Sequence, residues 1–302
     1  MRPIRLLLFY LAFIFLGAAL IAPWIYDAVQ LLGKTGDLFQ GIAREPFHRY
    51  VNRCLIVLAL AGMWPFLRAL EIRHWTDLGF APLRLHWRNA ANGFWVGFAS
   101  LALLAGLVIA SGTRSLDLAQ SAAPLASNLA GAILTGIIVA MLEETLFRGA
   151  LFGTLRKTQP WPIALLISSA VYAIVHFFAK AAPPPSVTLL SGFTTLGEML
   201  RGFTDFKILV PGFLNLLMVG AILALMFQRT GNLYFSIGLH AGWIFWLKSY
   251  GLLTNKGSGT NTWFWGGGKM IDGWLATAVL LVTLGVLFLY NPRKNQDSHV
   301  AR

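Results

Sequence analysis

A single cysteine, Cys54, leaves the chain unable to form an internal disulfide or a cysteine-based metal site. Charge is scarce as well: Asp, Glu, Lys and Arg make up 12% of the 302 residues, about half the share of a soluble domain. HExxH and HxxxxH spacings do not occur, so the helical zinc-protease signature is missing. Internal repeats, low-complexity tracts and linkers are missing too, which favours one transmembrane domain over residues 1–302.

Apolar residues are abundant, at 57% of the chain, and they fall into runs long enough to cross a bilayer. Spans are expected near 5–24, 54–70, 91–111, 127–157, 161–178, 210–228, 232–250 and 272–290, of which the second is short and the fourth is too long to lie wholly in lipid. The expected fold is therefore an all-α polytopic membrane protein of about eight transmembrane helices. The first run follows Arg2 and Arg5 as a signal peptide would, but it is longer than a usual h-region and ends at the interfacial residues Trp24 and Tyr26. An uncleaved helix is expected.

Net charge is +12, from 24 Lys and Arg against 12 Asp and Glu. The cations stand singly in loops and form no basic stripe, so the bilayer and its anionic headgroups are the expected partner, and nucleic acid is not. Arg2 and Arg5, the 71–90 loop with Arg73, Arg84 and Arg88, and the tail with Arg293, Lys294 and Arg302 favour both termini in the cytoplasm. An integral protein of a bacterial inner (plasma) membrane is the expected setting.

A charge inside hydrocarbon costs at least ~2.5–3.5 kcal/mol, so each ionisable residue within a span needs a reason. Ten of the twelve acids lie in loops or at span ends; Glu143 and Glu144 stand together in LTGIIVAMLEETLFRGALFG, followed by Arg148. On a helix Glu144 and Arg148 are i and i+4 and pair on one face, while Glu143 points about 100° away. One acid is then neutralised and the other is kept for general-base work. The other reading of the pair is an ordinary span end at the water interface.

Two histidines, His176 and His240, also fall within spans, in SSAVYAIVHFFA and YFSIGLHAGWIFW. A lone histidine there serves helix–helix hydrogen bonding as readily as catalysis. The turn between the fourth and fifth spans is expected near Thr158–Pro160, with Glu143 about as far before it as His176 is after it. An antiparallel hairpin would bring both to one level, roughly 25 Å from the turn. Gly149 and Gly153 form a GxxxG pattern that reads as helix packing, and Pro183–Pro185 break the chain after the fifth span, giving a loop near 179–209 that reads as a plain connector, with a border of substrate entry as the other reading.

EETLFRG resembles the EExxxR signature of the CPBP family, the CAAX proteases and bacteriocin-processing enzymes also called Abi proteins. YAIVH looks like that family's FxxxH motif with Tyr172 in place of Phe, and RTGNLYFSIGLHAG is similar to the stretch leading to its third-motif His. The resemblance covers roughly residues 75–250 and implies a glutamic-type intramembrane endopeptidase without a cofactor. It implies that Glu143 activates water with help from His176, that Glu144 and Arg148 support it, and that His240 stabilises the oxyanion. The third motif usually reads HxxxN or HxxxD, whereas Ile244 stands four residues after His240 and cannot donate; Trp243 and Asn215 are candidate substitutes for the missing donor.

Three functions are compatible with these residues. The first is hydrolysis of a peptide bond in a membrane-embedded or membrane-associated substrate, in CAAX-type, sorting-signal or leader processing. The second is a non-catalytic membrane binding or scaffold protein with the same pocket. The third is a proton-coupled carrier, which predicts helix breaks in repeated positions. Zinc on Glu143, His176 and His240 is chemically conceivable, because a carboxylate and two imidazoles form a known ligand set, but no fourth ligand is evident.

Overall fold

The computed structural model describes residues 2–117, 119–178, 181–257, 261–267 and 270–289. The tail cations Arg293, Lys294 and Arg302 and the sixth histidine, His299, lie outside the described residues. Eleven helices succeed one another among them: α1 (Arg2–Thr35), α2 (Asp37–Ala43), α3 (Phe47–Ala69), α4 (Leu83–Ala110), α5 (Ala122–Leu155), α6 (Trp161–His176), α7 (Ser191–Met199), α8 (Phe206–Thr230), α9 (Tyr234–Leu253), α10 (Thr262–Trp265) and α11 (Trp274–Leu289). Strands β1 (Arg114–Leu116) and β2 (Thr254–Lys256) form one short antiparallel pair, with Ser115 opposite Asn255.

The protein is an all-α polytopic membrane protein, and each of the eight expected spans falls on a helix. Among the described residues five helices are long and apolar enough to cross a membrane, and α6 and α11 are shorter apolar helices of 16 residues each. Their apolar side chains remain exposed in number, Phe9, Leu60, Trp95 and Leu134 among them, as lipid-facing surface requires. Three boundaries differ from expectation by more than five residues. Helix α1 does not stop at Trp24 but runs through Pro23 to Thr35, α3 begins at Phe47, and α4 begins at Leu83, so Arg84 and Arg88 lie on a helix and not in a loop over 71–90. All three extensions are more polar than the runs they continue, so hydropathy alone stops short of them.

The described chain divides into two compact units. The first comprises Met1–Arg73 and Phe177–Asp205, the second His74–His176 and Phe206–Arg302. In the first unit, Ala18 and Ala22 of α1 pack with Phe47, Val51 and the buried Cys54 of α3. The segment expected as a plain connector holds a helix here, and Gly192 at the start of α7 lets its backbone close against the carbonyl of Ala19 with no room for a Cβ.

In the second unit, α9 lies along both α4 and α5, and more than half of its residues are buried. Two glycine pairs allow this. Gly93 and Gly97 of α4 face the backbone of Phe235 and Leu239, and Gly238 and Gly242 of α9 face that of Ala90 and Phe94, none with room for a side chain. Backbone approach of this kind drives helix association in lipid, where apolar side chains gain nothing by leaving their surroundings. On the other side of α9, Gly136 of α5 faces the carbonyl oxygen of Ala241, which an added Cβ would approach to 2.9 Å. His240 thus sits between two close backbone approaches, to α4 on one side and to α5 on the other.

Candidate active site

The five polar residues read from the sequence lie on three helices of the second unit: Glu143, Glu144 and Arg148 on α5, His176 at the end of α6 and His240 on α9. Helix α5 is α-helical to Glu144 and widens to a π-helix over Thr145–Phe152. Such wide turns are uncommon and concentrate at functional sites. Here the change begins one residue after the acid pair, and nearly all of the π segment is buried, with Gly149 against the carbonyl of Leu78.

Glu144 and Arg148 form the inner layer. Both are buried, at 0% and 2% side-chain exposure, and Arg148 Nη1 donates to Glu144 Oε1 at 2.9 Å. The second arm of the guanidinium, Nη2, donates to the carbonyl of Gly220 on α8 at 3.3 Å, where α8 passes close to Ser169 of α6. The same guanidinium lies 4.5 Å over the ring of Tyr172. Glu144 Oε1 also faces His240 Nδ1 at 2.8 Å. A carboxylate paired to arginine only accepts, so the proton of this bond sits on His240 Nδ1.

Glu143 and His176 form the outer layer, each about a quarter exposed at its side chain. Glu143 Oε2 stands 3.1 Å from His176 Nε2 and 3.7 Å from His240 Nε2. His176 Nδ1 lies 2.8 Å from the carbonyl of Tyr172, and a carbonyl cannot donate, so Nδ1 carries the proton there. The contact between Glu143 and His176 Nε2 therefore needs a further proton shared between them. Two carboxylates and one guanidinium leave one negative charge over, and this one proton neutralises the cluster as a whole. Neutrality matters where a net charge would be held away from water.

A cavity of about 180 Å³ opens on this layer, lined by Glu143, Tyr172, His176 and His240 and otherwise mainly by apolar residues such as Leu101, Val139, Leu216 and Leu280. A carboxylate at the edge of an apolar cavity, hydrogen-bonded to an imidazole, is positioned to take a proton from water. Among the described residues no group of three or more His, Cys, Asp or Glu side chains has an arrangement that would hold a metal ion.

Neither of the two residues named as substitutes for the absent amide is available to the cavity. Asn215 Nδ2 donates to the carbonyls of Ile271 and Gly273 at 2.9 and 3.0 Å, and its Oδ1 accepts from Thr277 at 2.7 Å. Trp243 lines the cavity, but its Nε1–H donates to Ser100 Oγ at 2.9 Å. Ile244 is where it is because it packs with Ala140 and Ala241 at the α5–α9 contact. One group that sequence reading did not single out also belongs here, the hydroxyl of Tyr172, 3.4 Å from His240 Nε2. Its signal was the hydroxyl-bearing residue at a motif position that is usually Phe.

Residues 125–246 match the family described as type II CAAX prenyl endopeptidase Rce1-like. The matched stretch runs from α5 to α9 and contains all five residues of the cluster, and it agrees with the resemblance to the CAAX proteases carried by the motifs. No curated protein and no solved structure matches the chain.

Proposed function

We propose that the protein is an intramembrane endopeptidase that hydrolyses a peptide bond in a membrane-associated substrate with a water activated by Glu143. The observation that carries this reading is the free-standing acid of the pair. Glu144 is locked to Arg148 and His240, whereas Glu143 faces the cavity with an imidazole at 3.1 Å. The match to a CAAX endopeptidase family over the same helices supports the reaction class.

In the proposed reaction, water between Glu143 and the substrate carbonyl gives its proton to the carboxylate as its oxygen bonds to the carbonyl carbon. The carbonyl π electrons move to oxygen, and the resulting anion is stabilised by His240, which donates to it from Nε2 in the imidazolium form. The proton held between Glu143 and His176 then passes to the leaving nitrogen as the C–N bond breaks, which frees an amine and a carboxylic acid and returns Glu143 to its starting state. Glu144 and Arg148 hold His240 in place and set the charge of the cluster.

The apolar lining of the cavity suits an extended apolar segment delivered from the bilayer, such as a CAAX-type, sorting-signal or leader sequence. A bacterial inner membrane with both termini in the cytoplasm is the setting proposed, on Arg73, on Arg84 and Arg88 at the start of α4, and on the cations of the termini. The experiment is incubation of the purified protein with a panel of such membrane peptides, prenylated CAAX peptides included, read by mass spectrometry. Cleavage at one defined bond is expected. Peptide binding without cleavage across the panel would favour the non-catalytic binding protein instead.

A further inference from the structure

We propose that the Tyr172 hydroxyl is a catalytic residue, the second hydrogen-bond donor to the oxyanion beside His240; this rests on the hydrolytic reading above. An anion that develops in an apolar cavity needs donors fixed in place before the reaction. The cavity offers few. Trp243 Nε1–H is engaged by Ser100, and His176 is engaged at Nδ1 by a carbonyl and at Nε2 by Glu143. Lys248 is eight residues beyond His240 along α9, about 12 Å at the helical rise. Ile244, one turn after His240, has no donor and packs among apolar residues. The remaining candidates are His240 Nε2 and Tyr172 Oη, 3.4 Å apart, close enough for both to reach a single oxygen.

The tautomer of His240 makes the hydroxyl necessary. Its Nδ1 proton is committed to Glu144, so Nε2 carries a proton only in the imidazolium form. With neutral His240, Nε2 is an acceptor and the Tyr172 O–H is the only donor of the two. With imidazolium, Nε2–H and the hydroxyl act together. With neutral His240 the hydroxyl proton makes the long 3.4 Å contact to Nε2, and rotation about one C–O bond transfers it to the substrate oxygen.

The ring that carries it is held on three sides. It stacks on His176 with ring centroids 4.1 Å apart, meets Phe147 edge-on at 5.1 Å, and lies under the Arg148 guanidinium. At 3% exposure it is shielded from bulk water, so little reorganisation is required when charge develops.

The test is Tyr172→Phe in the full-length protein, with a farnesylated CAAX peptide and the membrane-peptide panel as substrates and Glu143→Gln run in parallel. Phe keeps the stacked ring and removes only the donor. The expected result is a fall in kcat of roughly a hundredfold, the scale for one oxyanion donor, with KM changed less than about threefold. Tyr172→Phe combined with Ile244→Asn should recover part of that loss, by offering an amide one turn from His240. Tyr172→4-aminophenylalanine, which keeps an N–H donor, should retain most activity even if the Phe variant melts early. Full activity of Tyr172→Phe with an inactive Glu143→Gln overturns the Tyr172 assignment alone. Full activity of both, or no cleavage of any peptide by the native protein, overturns the hydrolytic reading and this assignment with it.

Discussion

Replacing Arg148 by Met isolates the contribution of the buried charge pair. The side chains are of similar length, so the change leaves little cavity, but it removes the partner of a carboxylate with no exposure. Breaking a buried pair by deleting one member costs about 3–5 kcal/mol, because the remaining charge is left uncompensated. The bond to the Gly220 carbonyl adds about 1 kcal/mol, and the guanidinium over Tyr172 adds up to about 2 kcal/mol in a desolvated site. His240 Nδ1–H stays on Glu144 and offsets part of this, so the net loss is expected near 3–5 kcal/mol. Thermal unfolding of the detergent-solubilised protein reads it as a fall in Tm on the order of 10 °C. The double change Glu144→Gln with Arg148→Met removes both charges and should be more stable than Arg148→Met alone. A single variant within about 1 kcal/mol of the native protein would refute the buried-pair reasoning. So would a double variant less stable than the single.

Three shorter predictions go with it. His240→Ala should lower kcat by roughly a hundredfold or more and leave substrate binding nearly unchanged; native kinetics would refute its role as oxyanion donor. Gly97→Val would set a branched side chain against the backbone of Leu239, so α4 and α9 must part; a loss of about 1–3 kcal/mol or more is expected in the same unfolding assay, and native stability would show that this crossing is not tight. A chelator should leave cleavage unchanged at neutral pH, since the reaction is assigned to a carboxylate base; loss of activity restored only by zinc would move the chemistry to a metal.

How much of the fold and site is legible in the sequence varies with the physical origin of each feature. The spans are legible because apolar runs longer than a bilayer is thick have few other uses. The meeting of Glu143 with His176 comes from counting residues either side of Thr158–Pro160, since the two helical legs hold nearly equal numbers of residues. Other features depend on which faces meet, and that is not local information. The pairing of Gly93 and Gly97 with Gly238 and Gly242 needs the identity of the partner helix, and the GxxxG pattern of Gly149 and Gly153 leaves only Gly149 against a neighbouring element. The π-helix over Thr145–Phe152 conserves apolar composition and leaves no periodic trace in eight residues. Asn215 reads as a spare donor because its partners, the carbonyls of Ile271 and Gly273, are more than fifty residues away and belong to backbone. Helix α7 is hidden by the prolines before it, which mark a break in the chain without indicating that a helix resumes beyond it.

The role of Glu143 is tested most directly by comparing cleavage of one peptide by the native protein and by Glu143→Gln. The amide keeps the size and shape of the side chain and its contact with His176 Nε2, and removes the base. The account predicts that the variant inserts and unfolds like the native protein but shows no cleavage, while Glu144→Gln keeps measurable activity and loses stability. Cleavage by Glu143→Gln at the native rate would contradict the account at its centre.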